Sequence, residues 1–255
     1  MKMDNKAEIL GCNIDIINSQ QALEKIHEII LSQKGGQVIT LNAEIAYQAQ
    51  KDENLRIVIN GADLVTPDGI GIIWGGRQLG YDFPERVTGI DLMASLCRKA
   101  ADMGWKVYLF GAAPGVAEAA AESLVKQYPG LVVVGCRDGY FKDDESAGIA
   151  REIASLQPDI LFVALGAPKQ EYWIKEQQEA MKIPLCIGVG GSFDVIAGVK
   201  NRAPEWAIRL NLEWLYRLLA EPSRWKRQLA LPRYILAIKK AKWKKIKRGY
   251  YNRFR

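Results

Sequence analysis

Apolar residues follow two alternating rhythms along this chain. Short β-branched runs bounded by glycine alternate with longer segments whose apolar residues recur every three or four positions. The first pattern predicts strands and the second predicts amphipathic helices. Glu8–Ile17 reads as a strand or strand pair interrupted at Gly11. Ser19 is then expected to cap a helix over Gln20–Gln33, with Leu23, Ile26, Ile29 and Ile30 on one face and Gly35-Gly36 at its end. Gln37–Leu41 is the next strand, and Asn42 is placed to cap a helix over Ala43–Gln50. Ala62–Val65 reads as a short buried strand that breaks at Pro67 and restarts as a helix over Ile70–Leu79. After a loop over Tyr81–Gly89, the pattern gives helix Ile90–Met103, strand Lys106–Phe110, helix Val116–Tyr128 and strand Leu131–Gly135. Helix Asp144–Leu156, strand Pro158–Leu165, a helix opened by Gly166–Glu171 and strand Pro184–Val189 complete the series.

Strands that alternate with helices predict an α/β fold, a Rossmann-like and mostly parallel sheet with helices on both faces. That core takes residues 1–200. Residues 201–255 differ, with helices expected over Trp206–Leu219, Glu221–Ala230 and Arg233–Arg248, punctuated by Pro222 and Pro232. They form a basic helical C-terminal appendage.

Charge sharpens this division. The 255 residues carry a net charge of +6, unevenly spread. Residues 201–255 hold sixteen Lys/Arg against three Glu, a balance of +13, so residues 1–200 carry −7. A mildly acidic body with a strongly basic tail implies an anionic partner for the tail. Trp206, Trp214, Trp225 and Trp243 are interleaved with Arg and Lys, and residues 235–248 form a basic amphipathic pattern. Such a helix can lie in a membrane interface. Nucleic acid is the competing partner, disfavoured by the apolar, Trp-rich companion helices, and a solvated helix closing the domain is the plainer alternative. No apolar run reaches the ~20 residues of a spanning helix, and Met1–Lys6 has no apolar core of a signal peptide. A cytoplasmic protein, peripheral on the inner membrane face, is expected. Cys12, Cys97, Cys136 and Cys186 share no metal-ligand spacing and read as free thiols. His27, the only histidine, falls on an apolar helix, which disfavours a zinc site or a histidine triad.

Candidate chemistry gathers at the predicted strand ends, where open parallel sheets bind ligands. Asp68 sits in the break after Pro67. A carboxylate there can act as a general base, hold a sugar hydroxyl, or cap the next helix. Thr40 and Asn42 stand at an equivalent strand end, with roles as strand residue and cap as the alternatives. Arg86 lies in a loop from which a guanidinium can reach phosphate or pair with Glu85 or another acid. Gly111–Gly115 turns from strand to helix, a geometry that offers N–H groups to phosphate or ribose. It has neither the G-x-G-x-x-G spacing nor a Walker lysine, so the nucleotide signal is weak and a dinucleotide oxidoreductase is disfavoured. Gln170 opens another helix, and Gly190-Gly191-Ser192-Phe193-Asp194 ends the last core strand.

Taken together, Thr40-x-Asn42-Ala43-Glu44, Pro67-Asp68-Gly69, Glu85-Arg86-Val87-x-Gly89, Ala164–Glu171, Gly188–Asp194 and Leu212-Glu213-Trp214-Leu215-Tyr216-Arg217 resemble the WecG/TagA/CpsF family of bacterial glycosyltransferases. The resemblance runs from about Ile9 to about Arg233. It implies transfer of N-acetylmannosamine from its UDP donor to polyprenyl-diphosphate-linked N-acetylglucosamine, as in wall teichoic acid linkage-unit synthesis. Related members use the uronic acid sugar or serve capsule and exopolysaccharide assembly. It further implies inversion at the anomeric carbon and no metal cofactor, and no D-x-D motif occurs in the chain. By the same resemblance Asp68 is the base, Thr40 and Asn42 position sugar and base, and Gln170, Asp194 and the Gly111 turn hold the nucleotide. Arg86 would lie near the diphosphate, and Arg217, Arg224 and Arg227 would serve the donor or lipid diphosphates from an appendage that closes over the site. Exposed aromatic surface on such an appendage would favour self-association away from a membrane. A nucleotide-binding membrane adaptor without chemistry is the reading from another class.

Overall fold

The computed structural model describes residues 5–221 and 229–252. The chain opens with a hairpin, β1 (Lys6–Ile9) against β2 (Cys12–Asp15), paired Ile9↔Cys12. Leu10 and Gly11 both take positive φ, 52° and 87°, as a two-residue hairpin turn of this twist requires. Helix α1 (Ser19–Ser32) is capped by Asn18 rather than by Ser19. The Asn18 side chain accepts from Gln21 N and the Gln21 side chain accepts from Asn18 N, a reciprocal box that starts the helix one residue earlier. The box needs an acceptor at the last extended position, and Asn18 holds that position.

β3 (Gly36–Leu41) follows, buried throughout, and leads into α2 (Ala43–Ala49). A further helix, α3 (Glu53–Asn60), is capped by Asp52 and was not foreseen. β4 spans Leu64–Pro67, two residues later than the apolar pattern suggested. Pairing with β3 sets this register, Val38↔Leu64 through Leu41↔Pro67. Pro67 is accommodated because β4 is an edge strand and needs no ladder donor there. The remaining core comprises α4 (Gly69–Leu79), α5 (Gly89–Met103), β5 (Lys106–Gly111), α6 (Val116–Gln127), β6 (Val132–Arg137), α7 (Ser146–Ser155), β7 (Ile160–Ala164), α8 (Lys169–Met181), β8 (Leu185–Gly188) and the short α9 (Ser192–Ile196).

Six strands form one parallel sheet in the order β4-β3-β8-β7-β5-β6. Alternate strand residues feed opposite cores. Val38, Val107, Leu109, Phe162 and Ile187 pack with α1, α5 and α6 through Ile26, Leu92, Leu96 and Leu124. On the other face, Ile39, Leu41 and Val65 pack with the hairpin and α2–α4, while Tyr108, Phe110 and Leu161 pack with α7 and α8. Cys12, Cys97 and Cys186 are buried and all four thiols are free. Burial pushes the Cys12 thiol up to about 11 and those of Cys97 and Cys186 to about 12, so they stay protonated and inert.

The helix expected over Trp206–Leu219 is two helices, α10 (Glu205–Arg209) and α11 (Glu213–Ala220). The break falls at Asn211, whose φ of 60° ends the first helix, with Leu212 N donating back to Ala207 O at 2.7 Å. Most of the helix expected over Glu221–Ala230 lies outside the described residues. The last helix, α12 (Ala230–Asn252), starts three residues before Arg233. Pro232 sits inside its first turn, where a missing N–H leaves no bond unmade.

α12 lies on α2 and α4, burying Tyr234 and Ile238 in the same core as the hairpin. Its approach depends on Gly75, since a Cβ there would stand 2.1 Å from the Tyr234 hydroxyl and 3.3 Å from Ile238. Lys245 Nζ donates to Leu79 O at 2.8 Å, placing a cation on the carbonyl end of α4. The outward side of α12 exposes Leu236, Trp243 and Ile246 among lysines. Among the described residues no helix is long and apolar enough to cross a membrane.

Gly75→Val should unseat α12. Losing the burial of Tyr234 and Ile238 costs about 3–6 kcal/mol of docking energy. Hydrogen exchange across residues 230–245 should then approach that of open chain while the sheet stays protected. Unchanged protection would show that α12 is held by other contacts.

Candidate active site

Parallel pairing brings the carboxyl ends of all six strands to one rim. Asp68 stands at the end of β4, its N–H donating to Leu41 O of β3 at 2.9 Å. It occupies the N-cap position of α4, yet its side chain makes no capping bond to that helix. Instead Oδ2 accepts a long 3.4 Å bond from Gly89 N, the first residue of α5. The half-buried carboxylate therefore sits where two helices begin, and both positive dipole ends favour its charge. Of the three roles open to Asp68 in the sequence, its side chain does not cap α4.

The loop before α5 is tied to the same rim. Val87 N donates to Pro67 O at 2.9 Å, and Thr88 caps α5 through Asp91 N. Gly89 is where three strand ends meet. A Cβ on it would lie 3.2 Å from Thr40 Oγ1 and 3.8 Å from Val189 Cα. Thr40 is buried beneath it, with Oγ1 3.5 Å from Gly188 O. Thr40, Asp68 and the start of the β8 turn thus converge on one glycine. Asn42 does what the plainer alternative held: its Oδ1 accepts from Ile45 N at 3.0 Å and caps α2.

Arg86 points to the appendage. Its Nη1 donates to Glu213 Oε2 of α11 at 3.0 Å, and both side chains are largely buried. Glu85, one of the acids open to it in the sequence, accepts from Ser19 N. Asp194 is also engaged. Lys200 Nζ lies 3.3 Å from Asp194 Oδ2 and 3.4 Å from Glu221 Oε1, joining the α9 turn to the end of α11. Arg217 lies on α11, while Arg224 and Arg227 fall outside the described residues.

Gln170 is buried, and both ends of its amide bond within the protein. Oε1 accepts from Gly190 N at 3.1 Å, and Nε2 donates to Glu171 Oε1 at 2.9 Å. It faces the turn after β8. Gly111 stands two strands away from β8, across β7. It takes φ of 129°, and a Cβ there would fall 2.5 Å from the Ala164 carbonyl, so glycine is required where β5 and β7 close together. Ala112 N donates to Ala164 O across the same gap.

Glu171 was named in the sequence only as part of a motif. It is almost fully buried, and its Oε2 has no hydrogen-bond partner among the described residues. Its backbone carbonyl accepts from Gln37 Nε2 of β3 at 3.1 Å. Burial raises the Glu171 carboxyl above the usual carboxylate range. Glu171 thus fixes the Gln170 amide, which fixes Gly190. Burial of an acid next to a glutamine leaves no mark in a single sequence.

No group of three or more His, Cys, Asp or Glu among the described residues is arranged to hold a metal ion. The rim carries the half-buried Asp68 carboxylate flanked by helix starts and glycine turns, and the tail brings two acids, Glu213 and Glu221, to the core cations Arg86 and Lys200.

Fold and rim define an α/β protein with its ligand edge at the ends of parallel strands. The chain belongs to the glycosyl transferase WecG/TagA/CpsF family, whose model matches residues 7–248. It is similar to the N-acetylglucosaminyldiphosphoundecaprenol N-acetyl-beta-D-mannosaminyltransferase of Bacillus spizizenii, 39% identical over 207 residues that cover 81% of this chain and 80% of the relative. The enzyme of the same name from Bacillus subtilis strain 168 is 37% identical, covering 94% and 93%. That of Staphylococcus aureus strain NCTC 8325 is 34% identical, covering 96% of each. The chain is a glycosyltransferase.

The state of Glu171 has a consequence for stability. The unfolded chain releases this proton above about pH 4.5, the ordinary value for the group, while burial makes the folded chain hold it to higher pH. Stability carried by this group is therefore full below that pH and is lost as pH rises. Glu171→Gln should gain stability relative to the parent as pH rises from 4 to 8, read as denaturation midpoints across the range. Parallel profiles would mean that Glu171 is ionised in the fold.

Proposed function

We propose that this enzyme moves N-acetylmannosamine from UDP-N-acetylmannosamine to the 4-hydroxyl of N-acetylglucosaminyl-diphospho-undecaprenol, with inversion and without a metal. The names of the relatives support the transferred sugar and the acceptor. Such a step belongs to assembly of the wall teichoic acid linkage unit. The observation that carries the mechanism is Asp68, a carboxylate at the start of α4 that does not cap that helix.

The chemistry needs a base, because a sugar hydroxyl is a poor nucleophile. Asp68 takes the proton of the acceptor hydroxyl as its oxygen bonds to the anomeric carbon of the donor. The bond from that carbon to the UDP oxygen breaks, and UDP leaves with the electron pair. Attack from the opposite side inverts the centre. The proton stays on the Asp68 carboxyl until it returns to solvent. Thr40 and Gly89 shape the floor under the reacting sugar. The Gly190 turn, held by Gln170, supplies backbone N–H groups for the nucleotide. Arg86, already turned toward α11, supplies charge for the departing diphosphate together with Arg217, Arg224 and Arg227.

The acceptor is anchored in a bilayer by its polyprenyl chain, so the enzyme works as a peripheral protein on the inner membrane face. The exposed Leu236, Trp243 and Ile246 of α12, set among lysines, support that placement.

Asp68→Asn keeps the shape and removes the base. Turnover on a short-chain polyprenyl-diphosphate acceptor should fall by about 10²–10⁴-fold, with UDP affinity nearly unchanged. Wild-type turnover in this variant would place the base elsewhere. A panel of UDP-sugars assayed in EDTA tests donor and metal together. Transfer from UDP-N-acetylmannosamine alone is expected, and transfer only from its uronic acid would reassign the donor.

A further inference from the structure

α12 and α2 enclose a groove that the reaction above does not use. Its cavity of about 480 Å³ is walled by Tyr47 and Lys51 from α2 and the segment after it, and by Arg233, Leu236 and Lys240 from α12. A smaller hollow of about 310 Å³ adjoins it, sharing Tyr47, Lys51 and Arg233.

The larger cavity is lined by three cations and no acid, and Glu44 and Asp52 lie on the smaller hollow beside it. Lys51, Arg233 and Lys240 are exposed, and none of them forms an ion pair among the described residues. Lys51 instead stands 5.1 Å over the Tyr47 ring. Asp52, on the wall of the smaller hollow, is committed elsewhere. Its carboxylate accepts from the Tyr172 hydroxyl at 2.7 Å and from Leu55 N at 3.1 Å. Three cations facing one cavity repel each other, and an anion among them relieves that repulsion.

The groove opens onto apolar surface. Leu236, Lys240, Trp243 and Lys247 follow one another at helical spacings of four, three and four along the exposed side of α12. Lys247 Nζ lies 3.8 Å over the Trp243 ring. Leu236 is 66% exposed and Trp243 58%. Aliphatic and indole groups beside a cationic hollow suit a ligand with a charged head and an apolar body. A nucleic acid would leave Leu236 and Ile246 uncovered.

We propose that the α2–α12 groove is a head-group site for an anionic phospholipid, with the phosphate among Lys51, Arg233 and Lys240 and with Leu236 and Trp243 entering the lipid boundary. This rests on the peripheral-membrane reading above and adds to it a defined site in place of diffuse attraction.

The test is co-sedimentation of the full chain with phosphatidylcholine vesicles, with and without phosphatidylglycerol. A groove variant, Lys51→Gln with Arg233→Gln and Lys240→Gln, is compared with a control that loses the same charge from α12 outside the groove, Lys239→Gln with Lys242→Gln and Lys244→Gln. Wild type should bind only the anionic vesicles, and the groove variant should bind them at least about tenfold more weakly than the control does. Equal losses in the two variants would overturn the site and leave diffuse attraction. No binding by wild type to either vesicle would overturn the membrane reading itself. Inorganic phosphate at matched ionic strength should not displace the protein from anionic vesicles, and displacement would make the groove a free-phosphate site. The groove variant should keep wild-type turnover on a soluble short-chain acceptor, and its loss there would assign the groove to the acceptor diphosphate. A groove variant weakened on RNA but not on vesicles would assign it to nucleic acid.

Discussion

The parallel ladder of β3 with β4 on one side and β8 on the other governs the rest of the molecule. Val38 pairs with Leu64 and with Ile187, so three strands are locked in one register. That register puts Leu41 beside Pro67 and delivers Asp68 to the rim, with its N–H on the Leu41 carbonyl. It also sets the turn after β8 against Thr40. A shift of one residue in β4 would turn Val65 off its core and carry Asp68 away from α5. Positions of candidate chemistry are thus fixed by hydrogen bonds several residues below the rim.

At the rim itself the appendage enters. Arg86 of the core meets Glu213 of α11, and Lys200 joins Asp194 to Glu221. Two side chains expected at the site therefore already hold charged partners, which belong to the tail or bridge to it. The Arg86 pair is the more consequential of the two because both groups are largely withdrawn from solvent. Breaking one half of such a pair leaves the other charge poorly solvated. The strongly basic tail, +13, reads in the sequence as implying an anionic partner, but against the core a tail acid answers a core base.

Much of this was legible in the residues, and the limits have physical causes. Every core strand appeared from its apolar run, because parallel strands buried on both faces must be continuously apolar. α3 escaped notice because Glu53–Asn60 is short and half polar, and Asp52 is a cap only if a helix follows. The break at Asn211 was invisible because neither glycine nor proline marks it. β4 was displaced because its limits come from β3 and not from its own side chains. The position of Asp68 at a strand end followed from local order, whereas its bond to Gly89 N needs the chain to return past α4 from twenty-one positions on. The partner of Arg86 lies 127 residues away, and local reading offered only Glu85 or an unnamed acid. Gln170 was seen as a polar residue near a strand end, but its inward direction follows from burial under the Gly190 turn.

α4 joins the two ends of this story. Eleven residues long, it spans about 16 Å. At one end stands Asp68, and at the other Lys245 holds the Leu79 carbonyl while Tyr234 lies on Gly75 midway. The helix is therefore a strut braced by α12. A chain shortened before Tyr234 would retain every strand and the carboxylate, yet it would leave bare the side of the rod on which that carboxylate rests. What looks like a dispensable basic tail is, for this helix, part of the wall.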